Sequence, residues 1–339
     1  MEKFKYDQLY LDRLAFRLVR LQKGSWGEIE CEIIHTTLDD NVIPYEAVSY
    51  RWGSPMKTAS IILQGGRLNV TSNLYLILRD LRDSETDRYL WIDAICINQE
   101  DVDERGHQVG RMKDIYSRAE RVIFFIGRPT KFTDILMAAL SELQSVTSGN
   151  NWGYGDDRWD EAWADIQGRL ENRHRYARRL FHRALVYLME QSWFRRVWIL
   201  QEVGNARSAI VHCGKAFVSA RVFAVTPRLL EIKPSSHCQA VFDLMPGPSR
   251  KPSRLDRDLY SLLRKFSGAE AQEERDKVYA LLGMCRNRKG KDDLIPNYLN
   301  PIGDVICDTI SYIWHFDIHW KDLIICVAAS SWIRIQISR

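Results

Sequence analysis

Tyr45-Glu-Ala-Val-Ser-Tyr-Arg-Trp-Gly53 decides the fold. Ala47, Val48 and Tyr50 suit a buried strand, and Gly53, Ser54 and Pro55 end it. Two further apolar runs follow, Tyr89-Leu-Trp-Ile-Asp-Ala-Ile-Cys-Ile-Asn98 and Val122 to Ile126. Both read as buried strands, the second closed by Gly127 and Pro129. Helical periodicity lies between them. Thr71 or Ser72 caps a helix through Leu74, Ile77, Leu78 and Leu81. Asp101 with Glu104 is read as a capping box for a second helix, with Val109, Met112, Ile115, Tyr116 and Ala119 on its inner face. Strands alternating with helices at this spacing predict a parallel sheet with crossover helices.

Ligands in such folds sit at the carboxyl ends of the strands. Ser49, Arg51 and Trp52 are therefore candidate pocket residues, and Asn98 and Gln99 lie on the next strand-end loop. Asp93 stands in an otherwise apolar run. A carboxylate there needs partners, because burial alone is costly. It is either a hydrogen-bond hub or a site residue.

Ser192-Trp-Phe-Arg-Arg-Val-Trp-Ile-Leu-Gln-Glu-Val-Gly-Asn205 reads as one amphipathic helix stopped by Gly204 and Asn205. Glu202 falls one turn after Trp198 on the same face. Two readings stay open. Glu202 pairs with an arginine at the core rim, or Trp198 stacks on a flat ligand while Glu202 does acid, base or charge-stabilising work.

Around these blocks, residues 7 to 20 and Ile29 to Thr36 fit a lead-in hairpin. Ile61 to Leu63 and Arg67 to Val70 fit another, and Ser208 to Cys213 a fourth short strand. Lys131 to Val146 is predicted helical and Ser148 to Asp157 a loop. Residues 233 to 254 hold four prolines and read as a linker. Leu255 to Phe266, Asp276 to Met284 and Asp304 to Trp314 read as helices. The domain reading is 1–232 with an insertion at about 131–191, a linker at 233–254, and a helical extension at 255–339 that stops inside a longer natural protein.

Composition narrows the function classes. A 339-residue chain with 45% hydrophobic and 27% charged residues is globular. A net charge of +4 gives no general case for nucleic acid or an acidic membrane. Arg169, Arg173, Arg175, Arg178, Arg179 and Arg183 crowd one segment, which reads as a solvated face ahead of a phosphate-binding one. No apolar run reaches the roughly 18 residues of a membrane span. The charged amino terminus lacks a signal-peptide core, so a cytoplasmic location is expected. Seven scattered cysteines without a Cys-x-x-Cys pair fit reduced thiols and no zinc site. Phosphate-loop, dinucleotide-fingerprint, metalloprotease and nucleophile-elbow motifs are absent. Cys96 with His107 or His212 is the remaining nucleophile–base pairing, and nothing in the sequence brings these residues together.

Three blocks together carry a resemblance. They are Tyr45 to Gly53; Leu90 to Gln99 with Glu104 and Met112-Lys-Asp-Ile-Tyr-Ser-Arg-Ala119; and Trp193 to Glu202. In that order they resemble the fungal heterokaryon incompatibility (HET) domain, over about residues 45 to 215. Arg275-Asp-Lys-Val-Tyr-Ala-Leu-Leu-Gly283 and Ile295-Pro-Asn-Tyr298 resemble a segment that often follows it. The family triggers cell death when genetically different fungal cells fuse. The HET domain is in turn similar to the Toll/interleukin-1 receptor (TIR) fold. Val48-Ser-Tyr-Arg51 resembles the first TIR strand, and Trp198-Ile-Leu-Gln-Glu202 the Trp-to-Glu segment of enzymatic TIR domains. The hairpin after the first strand and the long insertion before the Glu helix depart from the TIR pattern.

The resemblance implies an α/β, TIR-like (flavodoxin-like) fold and cleavage of NAD or NADP as substrate, with no bound cofactor or metal. It implies Glu202 as catalytic residue, and Ser49, Tyr50, Arg51, Trp52, Gly53, Asp93, Asn98 and Trp198 around the substrate. It also implies a homo-oligomeric active state and an incompatibility partner protein. The alternative is a non-enzymatic, self-associating TIR-like signalling module.

Overall fold

A computed structural model of the chain describes residues 2–11, 14–39, 43–173, 176–247, 258–285 and 294–316. In chain order the strands are β1 (Ala15–Leu21), β2 (Glu30–Thr37), β3 (Glu46–Tyr50), β4 (Ala59–Leu63), β5 (Gly66–Val70), β6 (Arg88–Trp91), β7 (Arg121–Gly127), β8 (Ala209–Cys213) and β9 (Ala216–Ser219). The helices before β8 are α1 (Ser72–Leu81), α2 (Asp93–Cys96), α3 (Val102–Arg118), α4 (Lys131–Val146), α5 (Arg158–Arg173), α6 (Ala177–Met189) and α7 (Trp198–Asn205). Those after β9 are α8 (Ala220–Leu229), α9 (Ser236–Leu244), α10 (Leu259–Lys265), α11 (Asp276–Leu282) and α12 (Ile302–Phe316).

The nine strands form one sheet in the order β5-β4-β2-β1-β6-β3-β7-β8-β9, flanked by helices. Strands β6, β3, β7 and β8 run parallel, and β1 joins them antiparallel to β6. The predicted α/β architecture is present, as a mixed sheet with a parallel centre. Every residue of β3 is buried, as a central parallel strand covered on both faces requires. The β4–β5 hairpin lies at the sheet's edge and reaches the parallel strands only across β2 and β1.

Glu46 fastens the amino ends of the parallel strands. Its carboxylate accepts from Arg88 Nε at 2.8 Å and from Arg121 Nε at 2.5 Å, at the first residues of β6 and β7. The carboxyl ends, where Tyr50, Trp91 and Gly127 close their strands, face the loops that carry the site.

Three local readings are corrected. Tyr89 to Asn98 is not one strand. β6 stops at Trp91, and the chain turns into α2 at Asp93, whose carboxylate accepts from the Ala94 N–H at 2.7 Å. Ser192 to Asn205 is not one helix. A 3-10 turn spans Ser192–Arg195, and α7 begins at Trp198. Between them, Glu270 N–H donates to the Arg195 carbonyl, and Val197 N–H donates to the Glu270 carbonyl at 2.9 Å. A distant segment thus takes the backbone groups that a continuous helix would use. The capping box at Asp101 is half formed. Asp101 caps α3 by accepting from the Asp103 and Glu104 N–H groups, but Glu104 turns away to Arg17.

The stretch read as a linker holds α9 as far as Leu244, while residues 248–257 lie outside the described ones. The C-terminal helices pack on the sheet domain. Gly204 of α7 faces Met284, and a Cβ at Gly283 would collide with the Gln201 carboxamide.

Candidate functional site

A cleft of about 500 Å³ opens at the carboxyl ends of β3 and β6. Arg51, Trp52 and Gly53 line it from the loop after β3, Asp93, Ile97 and Gln99 from beyond β6, Arg196 from the link ahead of α7 and Trp198 from the first residue of α7. The opposite wall comes from Glu270 to Glu273, Asp276 and Tyr298 of the C-terminal segment. Five residues chosen from sequence therefore converge: Arg51, Trp52, Gly53, Asp93 and Trp198.

Each cleft residue is fixed by a specific contact. Gly53 adopts a φ of +77°, a left-handed conformation that favours glycine, and packs against the Asn73 side chain. Asn73 Nδ2 in turn donates to the Arg51 carbonyl at 3.2 Å. Trp52 Nε1 donates to Asp93, at 3.0 Å from one carboxylate oxygen and 3.2 Å from the other. Asp93 is thus a hub and also faces the cleft. Burial raises its pKa, opposed by the charge of Arg196 and the Trp52 and Ala94 N–H groups. Across the cleft, Asp276 accepts from the Tyr298 hydroxyl at 2.8 Å and from the Trp198 side chain. Its pKa is raised by burial against these two hydrogen bonds. Tyr298 carries the Arg105 guanidinium 4.6 Å from its ring centroid.

Glu202 lies beneath this floor, only 2% exposed and outside the cleft lining. Its Oε2 has no hydrogen-bond partner among the described residues. Burial pushes its pKa up to about 7, opposed by Arg196 and the Ser49 hydroxyl, with Asp93 adding to the rise. Ser49 sits between two buried groups. Its Oγ accepts from Trp193 Nε1 at 3.0 Å, leaving its proton for Glu202. Arg196 makes no ion pair among the described residues and donates to the Tyr50 carbonyl. Tyr50 itself is buried in β3 with its phenol pKa raised well above normal by burial.

Asn98 does not line the cleft. Its N–H donates to Glu104 Oε1 at 2.7 Å and its Oδ1 accepts from Glu100 N–H, so it shapes the loop. Glu104 is held by a bidentate buried pair with Arg17, at 2.5 and 3.0 Å. Arg196, Arg105, Asp276 and Tyr298 were not singled out as site residues. Asp276 and Tyr298 lie inside blocks the sequence did mark, and that block resemblance was the signal available.

Other candidates fall away. Cys96 is buried, and burial pushes its thiol up to about 12, so it is no thiolate nucleophile. Several cations of the Arg-rich segment are occupied: Arg169 pairs with Glu142, Arg178 with Glu231, and Arg183 lies over the Phe132 ring. Arg175 and the Arg173 side chain lie outside the described residues. Among the described residues no His/Cys/Asp/Glu group has metal-site geometry, and no helix is long and apolar enough to cross a membrane.

The indole-lined, carboxylate-bearing cleft thus lies at the strand ends of an α/β sheet, the place where such folds carry ligand crevices. Residues 45–202 match the family described as "Heterokaryon incompatibility protein (HET)", which bears out the resemblance carried by the three blocks. The chain is also 29% identical to "Heterokaryon incompatibility protein 6, OR allele" of Neurospora crassa, over 83% of this chain and 49% of that protein. It therefore spans about half the length of this curated relative. No solved structure matches the chain.

Proposed function

We propose that the chain acts in fungal heterokaryon incompatibility as a TIR-like, NAD(P)-cleaving cell-death effector. The observation that carries this reading is Glu202, buried one turn behind Trp198, under a cleft that also holds Trp52 and Arg51. The strand order supports the TIR-like part. Taken in chain order, the parallel strands β3, β6, β7 and β8 lie second-first-third-fourth, the flavodoxin-like arrangement.

The chemistry follows from the groups present. The bond from nicotinamide to the ribose carbon breaks with positive charge developing on the ribose. Water adds to that carbon, and nicotinamide, ADP-ribose and a proton leave. An ionised Glu202 stabilises the developing charge, as a glycosidase carboxylate does. Trp52 and Trp198 offer faces to a flat ring, and Arg51 and Arg196 offer donors to the pyrophosphate. Glu202 lies outside the cleft lining, so contact with the ribose requires a local rearrangement of α7, whose Trp198 is held by Asp276, itself bonded to Tyr298. An assembly-dependent activity in the cytoplasm, triggered by an incompatibility partner, fits such a restraint.

One observation favours the second reading, a non-enzymatic self-associating module. Glu202 is buried and absent from the cleft lining. Nicotinamide release from NAD by the purified chain, compared with Glu202→Gln, separates the two. Release by the parent chain alone is expected. Toxicity in fungal cells that survives Glu202→Gln, with no release from either protein, would establish the second reading.

A further inference from the structure

A second and larger cleft of about 1250 Å³ lies at the carboxyl ends of β3 and β7, between α1 and α4. This is the point where the crossovers leave a parallel sheet in opposite directions, β3 toward β6 and β6 back across to β7. Open α/β sheets place a ligand crevice there. It meets the first cleft at Arg51 and shares no other residue with it.

Its walls bear four cations, Arg51, Arg79, Arg128 and Lys215, against the carboxylates Asp80 and Asp134. Arg79 is engaged by Asp80 at 3.1 Å. The other three cations make no ion pair among the described residues. Two of them sit on loops tied together. Gly214 N–H approaches the Gly127 carbonyl at 3.4 Å, and the Cys213 thiol donates to the Arg128 carbonyl at 3.6 Å. Gly214, at a φ of +61°, packs so closely on Pro129 that a Cβ would stand 2.7 Å from its ring. The two loops that carry Arg128 and Lys215 are thereby held together ahead of any ligand.

The same wall presents an aromatic face. Phe217 lines the cleft at 50% exposure and stacks on His212, with centroids 5.2 Å apart and planes 16° from parallel. His212 stacks in turn on Phe125 at 6.4 Å. Burial lowers the His212 pKa to about 4, so the stack is uncharged at neutral pH.

We propose that this cleft is a binding site for a nucleoside polyphosphate, distinct from the indole-lined cleft. The base lies against Phe217, the phosphates meet Arg128 and Lys215, and Asp134 accepts from the sugar hydroxyls. The inference does not depend on NAD cleavage. Exposed cations without ion-pair partners, grouped on one wall, select a compact polyanion, and an aromatic shelf beside them selects one that carries a flat ring.

Calorimetry on the full chain tests this, with ADP, adenosine and inorganic pyrophosphate as probes. ADP is expected to bind, and more tightly than adenosine. The double substitution R128E/K215E is expected to weaken ADP at least tenfold, and F217A to weaken ADP while leaving pyrophosphate unchanged. W198A, in the other cleft, is expected to leave intact the part of ADP binding that F217A removes. Thermal melting checks that each variant folds, and F217A still decides the matter if the charge reversal does not. No ADP binding at millimolar concentration would overturn the proposal. So would ADP binding that ignores R128E/K215E and F217A, or that disappears with W198A.

Discussion

Trp52 Nε1 bridges both oxygens of Asp93, joining the loop after β3 to the turn after β6. Neither residue has another route to the same end. Asp93 has no cationic partner within ion-pair distance among the described residues, and the indole is its one side-chain donor there. Trp52→Phe keeps an aromatic ring, though a smaller one, and deletes the N–H. A hydrogen bond to a charged group contributes roughly 1.5–3 kcal/mol. A loss of that order is expected in urea denaturation at pH 7, with little change once the acceptor is removed by Asp93→Ala. An additive double mutant would refute the coupling.

Glu202 makes stability depend on pH in a defined direction. Its folded pKa, about 7, lies above that of an exposed glutamate. The folded state therefore holds the proton more tightly between those values. Its contribution is fully present below the unfolded pKa and is lost as pH rises through about 7. Glu202→Gln is expected to melt above the parent chain at pH 8, by on the order of 3 kcal/mol in stability, with the gap closing by pH 5. A constant gap across that range would mean that the carboxyl does not titrate on folding.

The same titration bears on activity. If ionised Glu202 stabilises the ribose cation, nicotinamide release rises with pH through about 7. Glu202→Gln is expected to reduce the rate by roughly a hundredfold or more. A flat pH profile would point to a different charged group.

Ser49→Ala removes a hydroxyl that serves two buried neighbours. The Trp193 N–H loses its acceptor and Glu202 its donor. Leaving a buried donor unpaired costs about 1–3 kcal/mol. Thermal unfolding should fall accordingly, and the midpoint of the activity profile should move to higher pH. A shift to lower pH would contradict the assigned direction of the Ser49 hydrogen bond.

Arg17 and Glu104 test the support of the Asn98 loop. The pair is buried and bidentate, and Glu104 also holds the Asn98 N–H. Removing one partner of such a pair costs roughly 3–5 kcal/mol. Glu104→Ala is expected to lose that much in urea denaturation. It should also speed hydrogen exchange at the Asn98 amide.

The sequence was informative where structure is local. Periodicity and turn residues located β3, β7, α1 and α3, strand-end reasoning picked out Arg51 and Trp52 of the cleft, and a lone carboxylate in an apolar run picked out Asp93. It failed where a distant segment intervened. Glu104 had the spacing of a capping residue, but Arg17, 87 positions away, takes its carboxylate. The break before Trp198 is made by Glu270, which no local pattern announces. The run from Tyr89 to Asn98 was apolar enough for either strand or buried helix, and periodicity alone does not separate them. Asp276 and Tyr298 form a wall that only chain folding brings to Trp198.

The position of the β4–β5 hairpin bears on exchange of parts between proteins. The hairpin belongs to the matched stretch, residues 45–202, but its bridge to the parallel strands, β2 and β1, precedes that stretch. One wall of the indole-lined cleft follows it. A swap of residues 45–202 between two such chains would therefore graft neither a whole sheet nor a whole pocket. It would make a chimera whose two junctions each cross a hydrogen-bonded seam, and the smallest transplantable piece is longer at both ends.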